Sequence, residues 1–223
     1  MARVALLHVL QISEQSKYLD LRTALIVAVI RSFMTPSKPK SISSTQKLMT
    51  RDPGVKGRIW VSKYTSPVPD ETSIRDSLVK AIEGLSQSAT SKTGFTLPEI
   101  APVEAEWTGY RADAKPDARL PDISEQEKYA ELKKECKSEV TVMYFHGGAY
   151  WLMDPATHRP TTKKLAKLTG GRCYSVRYRL APQNPFPSAL LDALASYLTL
   201  LYPPPGAFHE PVSPPHIVFA GDR

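Results

Sequence analysis

The feature that most constrains the fold is a continuous apolar run, Val140 to Phe145, that leads directly into His146-Gly147-Gly148. Its residues are β-branched and aromatic without alternation, which is typical of a central strand buried on both faces. Strand and helix patterns then alternate to the chain's last residues: a helix over Thr157 to Thr169, a strand over Arg172 to Tyr178, a helix over Ser188 to Tyr202 and a strand over Ile217 to Ala220. This alternation predicts an α/β fold with a mostly parallel sheet flanked by helices.

Weaker patterns precede this region. Glu71 to Leu85 has apolar residues at helical spacing, and Val103 to Tyr110 alternates as a half-buried strand does. Ser124 to Glu127 has the form of a capping box, which predicts a helix start. Gly170 follows a predicted helix where a left-handed residue is favoured. The polar segment from 36 to 58 is predicted to be a linker.

The positive charge lies in the N-terminal part of the chain. Residues 1–63 hold eleven Lys and Arg against three Asp and Glu, whereas residues 64–223 hold 18 against 19. A nucleic-acid-binding protein more often carries its basic residues on a folded face, so no nucleic-acid partner is predicted. We expect a basic arm that is solvated or weakly attracted to a membrane surface.

Targeting and redox signals are weak. Thr23 to Ile30 is apolar but far shorter than the about 18–20 residues that cross a bilayer, so we predict one helix, packed on the domain or lying on a membrane surface. Val4 to Leu10 lacks a cleavage pattern, and Cys136 and Cys173 form no disulfide framework or zinc spacing. The expectation is a cytoplasmic protein without metal or cofactor, with membrane association as the alternative; Cys173 is predicted to be a buried structural thiol.

The His146-Gly147-Gly148 turn has a chemical interpretation. Ester hydrolysis passes through a tetrahedral oxyanion, which preorganised backbone N–H groups stabilise well. Two glycines allow a tight turn that brings amides close to a substrate, and a strand leading into such a turn is the lipase and esterase form of this device. A glycine turn that merely ends a strand is the alternative.

Two further blocks complete a pattern. Tyr178 to Ala193 reads YRLAPQNPFPSALLDA, and the chain's last strand runs into Gly221-Asp222, as a nucleophile elbow begins. The three blocks, in this order, resemble the hormone-sensitive-lipase-like branch of the α/β hydrolases, also called the fold-3 group, and especially its fungal members. The resemblance covers Trp107 to Asp222.

The resemblance implies a carboxylic-ester hydrolase that uses an acyl-enzyme route without cofactor and takes hydrophobic esters of modest size. It assigns the oxyanion-hole amides to Gly147 and Gly148, within a motif that includes His146 and Ala149, and it places Asp222 just before the nucleophile. Three regions are expected: a basic arm with one apolar helix and a linker over 1–63, a cap-like helical segment over 64–100, and an incomplete α/β-hydrolase domain over 101–223.

The sequence departs from the family at the catalytic triad. Arg223 stands where the family has its serine, and the triad order in this fold is serine, then acid, then histidine. No internal Gly-x-Ser-x-Gly replaces it; Gly84 to Ser88 comes nearest. Four histidines are expected to be structural or on the surface, namely His8, His158, His209 and His216. Arg177 and Arg179 are expected to brace the proline-rich loop rather than form an anion site.

We therefore expect a fragment of an esterase that lacks the triad, is inactive and self-associates. A non-catalytic paralogue that binds hydrophobic ligands or a protein partner, and a membrane-surface adaptor, are the alternatives.

Overall fold

The computed structural model describes residues 2–34, 41–69, 73–86 and 94–222, in two compact units, Met1–Thr45 and Gln46–Arg223. The first unit contains helix α1 (Ala2–Val9), a 3-10 turn (Glu14–Lys17) and helix α2 (Leu21–Met34), and α1 packs against α2. The helix predicted over Thr23 to Ile30 is confirmed. Helix α3 (Ile42–Met49) contains the division point and lies in the segment that was predicted to be a linker.

The second unit is built around one five-stranded sheet. Its further elements are β1 (Ile59–Ser66), α4 (Ser73–Ser86), β2 (Val103–Tyr110), α5 (Glu125–Lys134), β3 (Thr141–Phe145), α6 (Pro155–Thr169), β4 (Arg172–Arg177), α7 (Ser188–Leu201), a 3-10 turn (Pro214–His216) and β5 (Ile217–Gly221). The strand order is β1-β2-β4-β3-β5.

The sheet is mixed. Strand β3 pairs in parallel with both β4 and β5, as the alternating pattern after Val140 predicts. Strand β2 is antiparallel to both of its neighbours, β1 and β4. Strand β1 was not predicted, and the boundary expected at residue 63 lies inside it.

The local start and stop signals are confirmed. The Ser124 side chain accepts a hydrogen bond from the Glu127 amide while the Glu127 carboxylate accepts one from the Ser124 amide, which is a complete capping box. Gly170 ends α6 with φ of 68°, in the left-handed region that glycine adopts without steric cost. Asp154 caps the other end of α6, so this helix is held at both ends.

Both faces of the sheet are covered near its centre. One face carries the main core, in which Trp107 of β2 and Tyr174 of β4 contact Tyr129 and Leu132 of α5. On the other face, Val142 and Cys173 pack against Ala166 of α6. Burial raises the pKa of the Cys173 thiol to about 12, in keeping with the predicted buried structural thiol.

The face under α6 also holds a buried ion pair. The Arg159 guanidinium donates to both oxygens of Glu106 at 2.8 and 2.6 Å, and to both oxygens of Asp52 at 2.5 and 3.0 Å. Glu106 is 1% exposed and Arg159 is 5% exposed. Strand β2 was predicted to be half-buried; it is buried on both faces because α6 covers this second one.

Candidate active site

The candidate site lies at the carboxyl edge of the parallel strands. Strand β3 ends at Phe145 and continues into the loop that begins with His146, while the neighbouring β5 ends at Gly221 in register with Phe145. A Cβ on Gly221 would lie 2.7 Å from the Phe145 carbonyl oxygen, so glycine permits this close approach. The topology therefore brings the His-Gly-Gly turn and Asp222 together, although 75 residues separate Gly147 from Asp222.

Asp222 connects the two strand ends. Its Oδ1 accepts hydrogen bonds from the Tyr144 hydroxyl at 2.6 Å and from the Gly147 amide at 2.9 Å, and its Oδ2 lies 3.1 Å from His158 Nε2. Partial burial opposes ionisation, but the bonds from Tyr144 and Gly147 and the nearby His158 outweigh it, so the pKa of Asp222 lies below its ordinary value. Asp222 is thus an anionic anchor for the loop.

Asp222 accepts a hydrogen bond from one backbone amide of the loop and so determines which of the loop's amides have no partner. Gly147, one of the two amides predicted to form an oxyanion hole, donates to Asp222. The amides of Gly148 and Ala149 donate to no partner among the residues that the structure describes. Gly148 has φ of 114°, and a Cβ there would lie 2.3 Å from the Leu152 carbonyl oxygen, so this position requires glycine. Gly148 and Ala149 are therefore adjacent donors without a described partner, and the Tyr150 amide that follows is a third.

Ala149 adopts a backbone conformation that favours glycine. Its φ is 53°, in the left-handed region, where an L-residue other than glycine costs about 1–2 kcal/mol. We expect Ala149→Gly to raise the free energy of unfolding by up to about 1 kcal/mol, because relief of this strain exceeds the entropy that glycine adds to the unfolded chain. Urea denaturation of the two proteins measures the difference. A loss of stability would show that the Ala149 methyl group contributes more than its backbone strain costs.

The His146 side chain packs beside the loop that this residue begins and supports it. Its ring stacks on Tyr178 at 4.3 Å with an interplanar angle of 11°, and the Tyr178 hydroxyl donates to the His146 carbonyl oxygen. The ring's Nδ1 lies 2.8 Å from the Gly147 carbonyl oxygen, which only accepts, so Nδ1 carries the proton. Burial lowers the pKa of His146, so its imidazole is neutral at pH 7. His146 is a neutral brace of the loop.

The proline-rich block holds the other side of the loop. Arg179 donates from its backbone amide and its guanidinium to the buried Asp192 of α7, at distances from 2.7 to 3.1 Å. The Ala181 amide donates to the Tyr150 carbonyl oxygen at 2.9 Å, which joins this block to the His-Gly-Gly loop. The bracing role predicted for Arg179 is consistent with this geometry. Arg177 instead contacts Asp154 and Glu104.

An apolar cavity of about 730 Å³ opens beside the loop. His146, Gly147, Ala149, Gly221 and Asp222 are among the residues that line it. The remainder of the wall is mainly aromatic and aliphatic, contributed by Phe145, Tyr150, Tyr178, Ala189, Leu190, Ala193, Phe219 and Ala220. A cavity with a few polar groups at one end and apolar walls suits an organic molecule that has one polar function.

The other histidines differ in their surroundings. His158 was predicted to be structural or on the surface; its Nε2 lies 3.1 Å from Asp222 Oδ2, a pairing that no sequence pattern indicated. His209 is buried among the rings of Tyr64, Trp107 and Phe208, and burial lowers its pKa. Arg223, at the position that the resemblance gives to the nucleophile, lies outside the described residues.

The chain is similar to known proteins over part of its length. Residues 142–223 match the family described as alpha/beta hydrolase fold. An acetyl-hydrolase of Streptomyces hygroscopicus is 41% identical over 82 residues, which are 37% of this chain and 25% of that protein. Human hormone-sensitive lipase is 34% identical over 61 residues, 27% of this chain and 6% of the lipase.

A crystal structure of a hyperthermophilic esterase from Pyrobaculum calidifontis has 19% identity and a TM-score of 0.46, covering 89% of this chain and 48% of that one. With the family match, the strand order and the parallel pairing of β3, β4 and β5 define an α/β-hydrolase fold. Over this segment the chain resembles proteins of the esterase and lipase type. The match spans about a quarter of the acetyl-hydrolase, so activity and substrate are matters for proposal.

Proposed function

We propose that this chain supplies the oxyanion hole and a substrate pocket for the hydrolysis of small hydrophobic carboxylic esters. The observation that carries this proposal is the pair of adjacent unpartnered amides, Gly148 and Ala149, in a loop that Asp222 anchors. Ala149 and the preceding Gly147 line an apolar cavity. Preorganised amides of this kind stabilise an oxyanion without reorganisation, and the loss of one such donor typically lowers kcat by about 10²–10³-fold.

Each structural part has a role in the proposed reaction. The apolar wall around Ala189 and Ala193 holds the hydrophobic part of the ester. The serine hydroxyl oxygen bonds to the ester carbonyl carbon while a base takes the hydroxyl proton, the carbonyl π electron pair moves to oxygen, and the Gly148 and Ala149 amides donate to that oxyanion. The electron pair then returns, the C–O bond to the alcohol breaks, and the base passes its proton to the leaving alkoxide. Water repeats these steps on the acyl-enzyme and releases the acid and the free serine. The nucleophile and the base are implied by the resemblance alone.

Binding of a charged tetrahedral analogue tests the oxyanion hole. Titration of the ¹⁵N-labelled chain with the monomethyl butylphosphonate anion is expected to shift the Gly148 and Ala149 amide protons downfield, because a charge-assisted hydrogen bond forms. Neutral methyl pentanoate is the control and should produce smaller shifts. Ala193→Trp, which fills the cavity, should abolish both responses. Shifts centred on Gly147 would restore the pair that the sequence predicts, and no shift at any of the three would refute the site.

We also propose that the chain is related to the fungal members of the family and that it is a fragment of an esterase. Sequencing the transcript beyond codon 223 tests both. A reading frame that encodes the family's serine and Ala-Gly-Gly, followed later by an acid and a histidine, is expected. A stop codon in every transcript would instead favour a short, non-catalytic paralogue.

Non-catalytic binding of hydrophobic ligands is the second candidate. The observation that favours it is the wall of the cavity, whose described residues include no serine, threonine or cysteine. We therefore expect the 223-residue polypeptide to hydrolyse p-nitrophenyl butyrate no faster than buffer with an inert protein, while still binding the phosphonate. Saturable turnover that a serine-directed phosphonate blocks would contradict this.

A further inference from the structure

The surface of the first unit is unusually apolar. Within the described residues 2–34, nine large hydrophobic side chains are exposed: Leu6, Val9, Leu10, Ile12, Tyr18, Leu21, Ile26, Val29 and Ile30. Singly exposed apolar residues are normal on a protein surface, but a concentration of this kind marks an interaction site.

Helix α2 has two apolar faces. Helix α2 buries Ala24 and partly buries Val27 and Ala28, while Ile26, Val29 and Ile30 are exposed. At 3.6 residues per turn, about 100° per residue, the three exposed residues lie within one face of the helix. The packing of α1 on α2 therefore uses one apolar face and leaves the other open.

Basic residues border the open face. Arg22 precedes Ile26 by one helical turn on the same face, and Arg3 precedes Leu6 in the same way on α1. Both arginines are exposed, as is Lys17 between the helices. Long basic side chains beside apolar residues allow the apolar part to enter a lipid layer while the charge stays at its headgroups.

The basic residues of the first unit indicate what kind of partner binds its exposed apolar face. Residues 2–34 hold four Lys and Arg against two acidic residues, Glu14 and Asp20. A second copy of this unit would carry the same net positive charge, and like charges oppose such a contact. Among the described residues no helix is long and apolar enough to cross a membrane. We propose that the open face of α1 and α2 docks on the surface of an anionic lipid bilayer, with the helices lying in its interface.

Flotation with lipid vesicles tests this proposal on the full chain. Binding to phosphatidylcholine vesicles with 30% phosphatidylserine is expected to be at least about tenfold tighter than to pure phosphatidylcholine, since each basic residue near an anionic surface adds attraction. Raising the salt to 0.5 M should remove most of this difference because it screens the charges. Equal binding to both vesicles, or binding unaffected by salt, would overturn the proposal.

Two variants separate apolar from electrostatic contact. Ile26→Ser with Ile30→Ser should reduce binding to anionic vesicles by about tenfold or more, as buried apolar area is lost, and Arg22→Glu should reduce it while leaving the helix packing intact. Leu168→Ser, which removes an exposed leucine from α6, is the matched control and should bind as the parent does. Unchanged flotation of the isoleucine variant would overturn the proposal. So would light scattering that shows a dimer which only the isoleucine variant dissociates, since that would make a second copy the occupant.

Discussion

Arg159→Ala is expected to lower the free energy of unfolding by about 3–5 kcal/mol, the range measured when one partner of a buried ion pair is removed. Arg159 donates four hydrogen bonds to the Glu106 and Asp52 carboxylates beneath α6. Without it, the almost fully buried Glu106 loses its two donors and its nearer charge partner, and among the described residues only Arg177, at 3.9 Å, remains as a cation beside it. Burial alone opposes the charge on Arg159, yet the bonds to the two carboxylates outweigh this and raise the pKa of Arg159 above its ordinary value.

Three further variants make the result specific. Lys164→Ala removes an exposed cation from the same helix and should change the stability by less than about 0.5 kcal/mol. Arg159→Lys keeps the charge but loses the planar fork, so we expect an intermediate loss. Arg159→Met with Glu106→Gln removes both charges and should recover part of the stability. Urea unfolding of the series provides the measurement, and a loss below about 1 kcal/mol for Arg159→Ala would mean that water replaces the guanidinium.

The secondary structure after Val103 could be predicted because its signals are local. The capping box at Ser124, the glycine at 170 and the apolar run before His146 each act within a few residues, and the structure has the expected element at each. Strand β1 was missed because it follows a long polar segment. Its place in the sheet depends on pairing with β2, and helix α4 separates the two strands along the chain. No local sequence pattern indicates such a pairing.

The site was predictable in its location but not in its hydrogen bonds. The His-Gly-Gly turn after a buried strand indicated where an oxyanion could be held. Which amides remain free depends on the approach of Asp222, which takes the Gly147 amide, and this approach follows from the pairing of β3 with β5. The contacts of Asp222 with Tyr144 and His158, at sequence separations of 78 and 64 residues, likewise require the fold.

The polypeptide is expected to self-associate through β5. Within the described residues β5 pairs only with β3, so its other side presents backbone N–H and C=O groups without partners from a neighbouring strand. Val218 is 48% exposed and Phe219 is 59% exposed, on opposite faces of the strand because side chains alternate. An exposed apolar edge strand is a template for pairing with another chain. Size-exclusion chromatography with light scattering should show species larger than the 24.7 kDa monomer at micromolar concentration.

A lysine introduced into the edge strand β5 tests whether that strand mediates the association. Val218→Lys should shift the equilibrium toward the monomer, because an edge lysine disfavours strand pairing and introduces repulsion between copies. Leu168→Lys adds the same charge at an exposed position on α6 and should leave the association unchanged. Association that persists in Val218→Lys but disappears in the isoleucine variant of α2 would assign it to the first unit. A sharp monomer peak from the parent chain, with a cooperative thermal transition, would show that β5 is stable as an open edge and that residues 46–223 need no partner strand there.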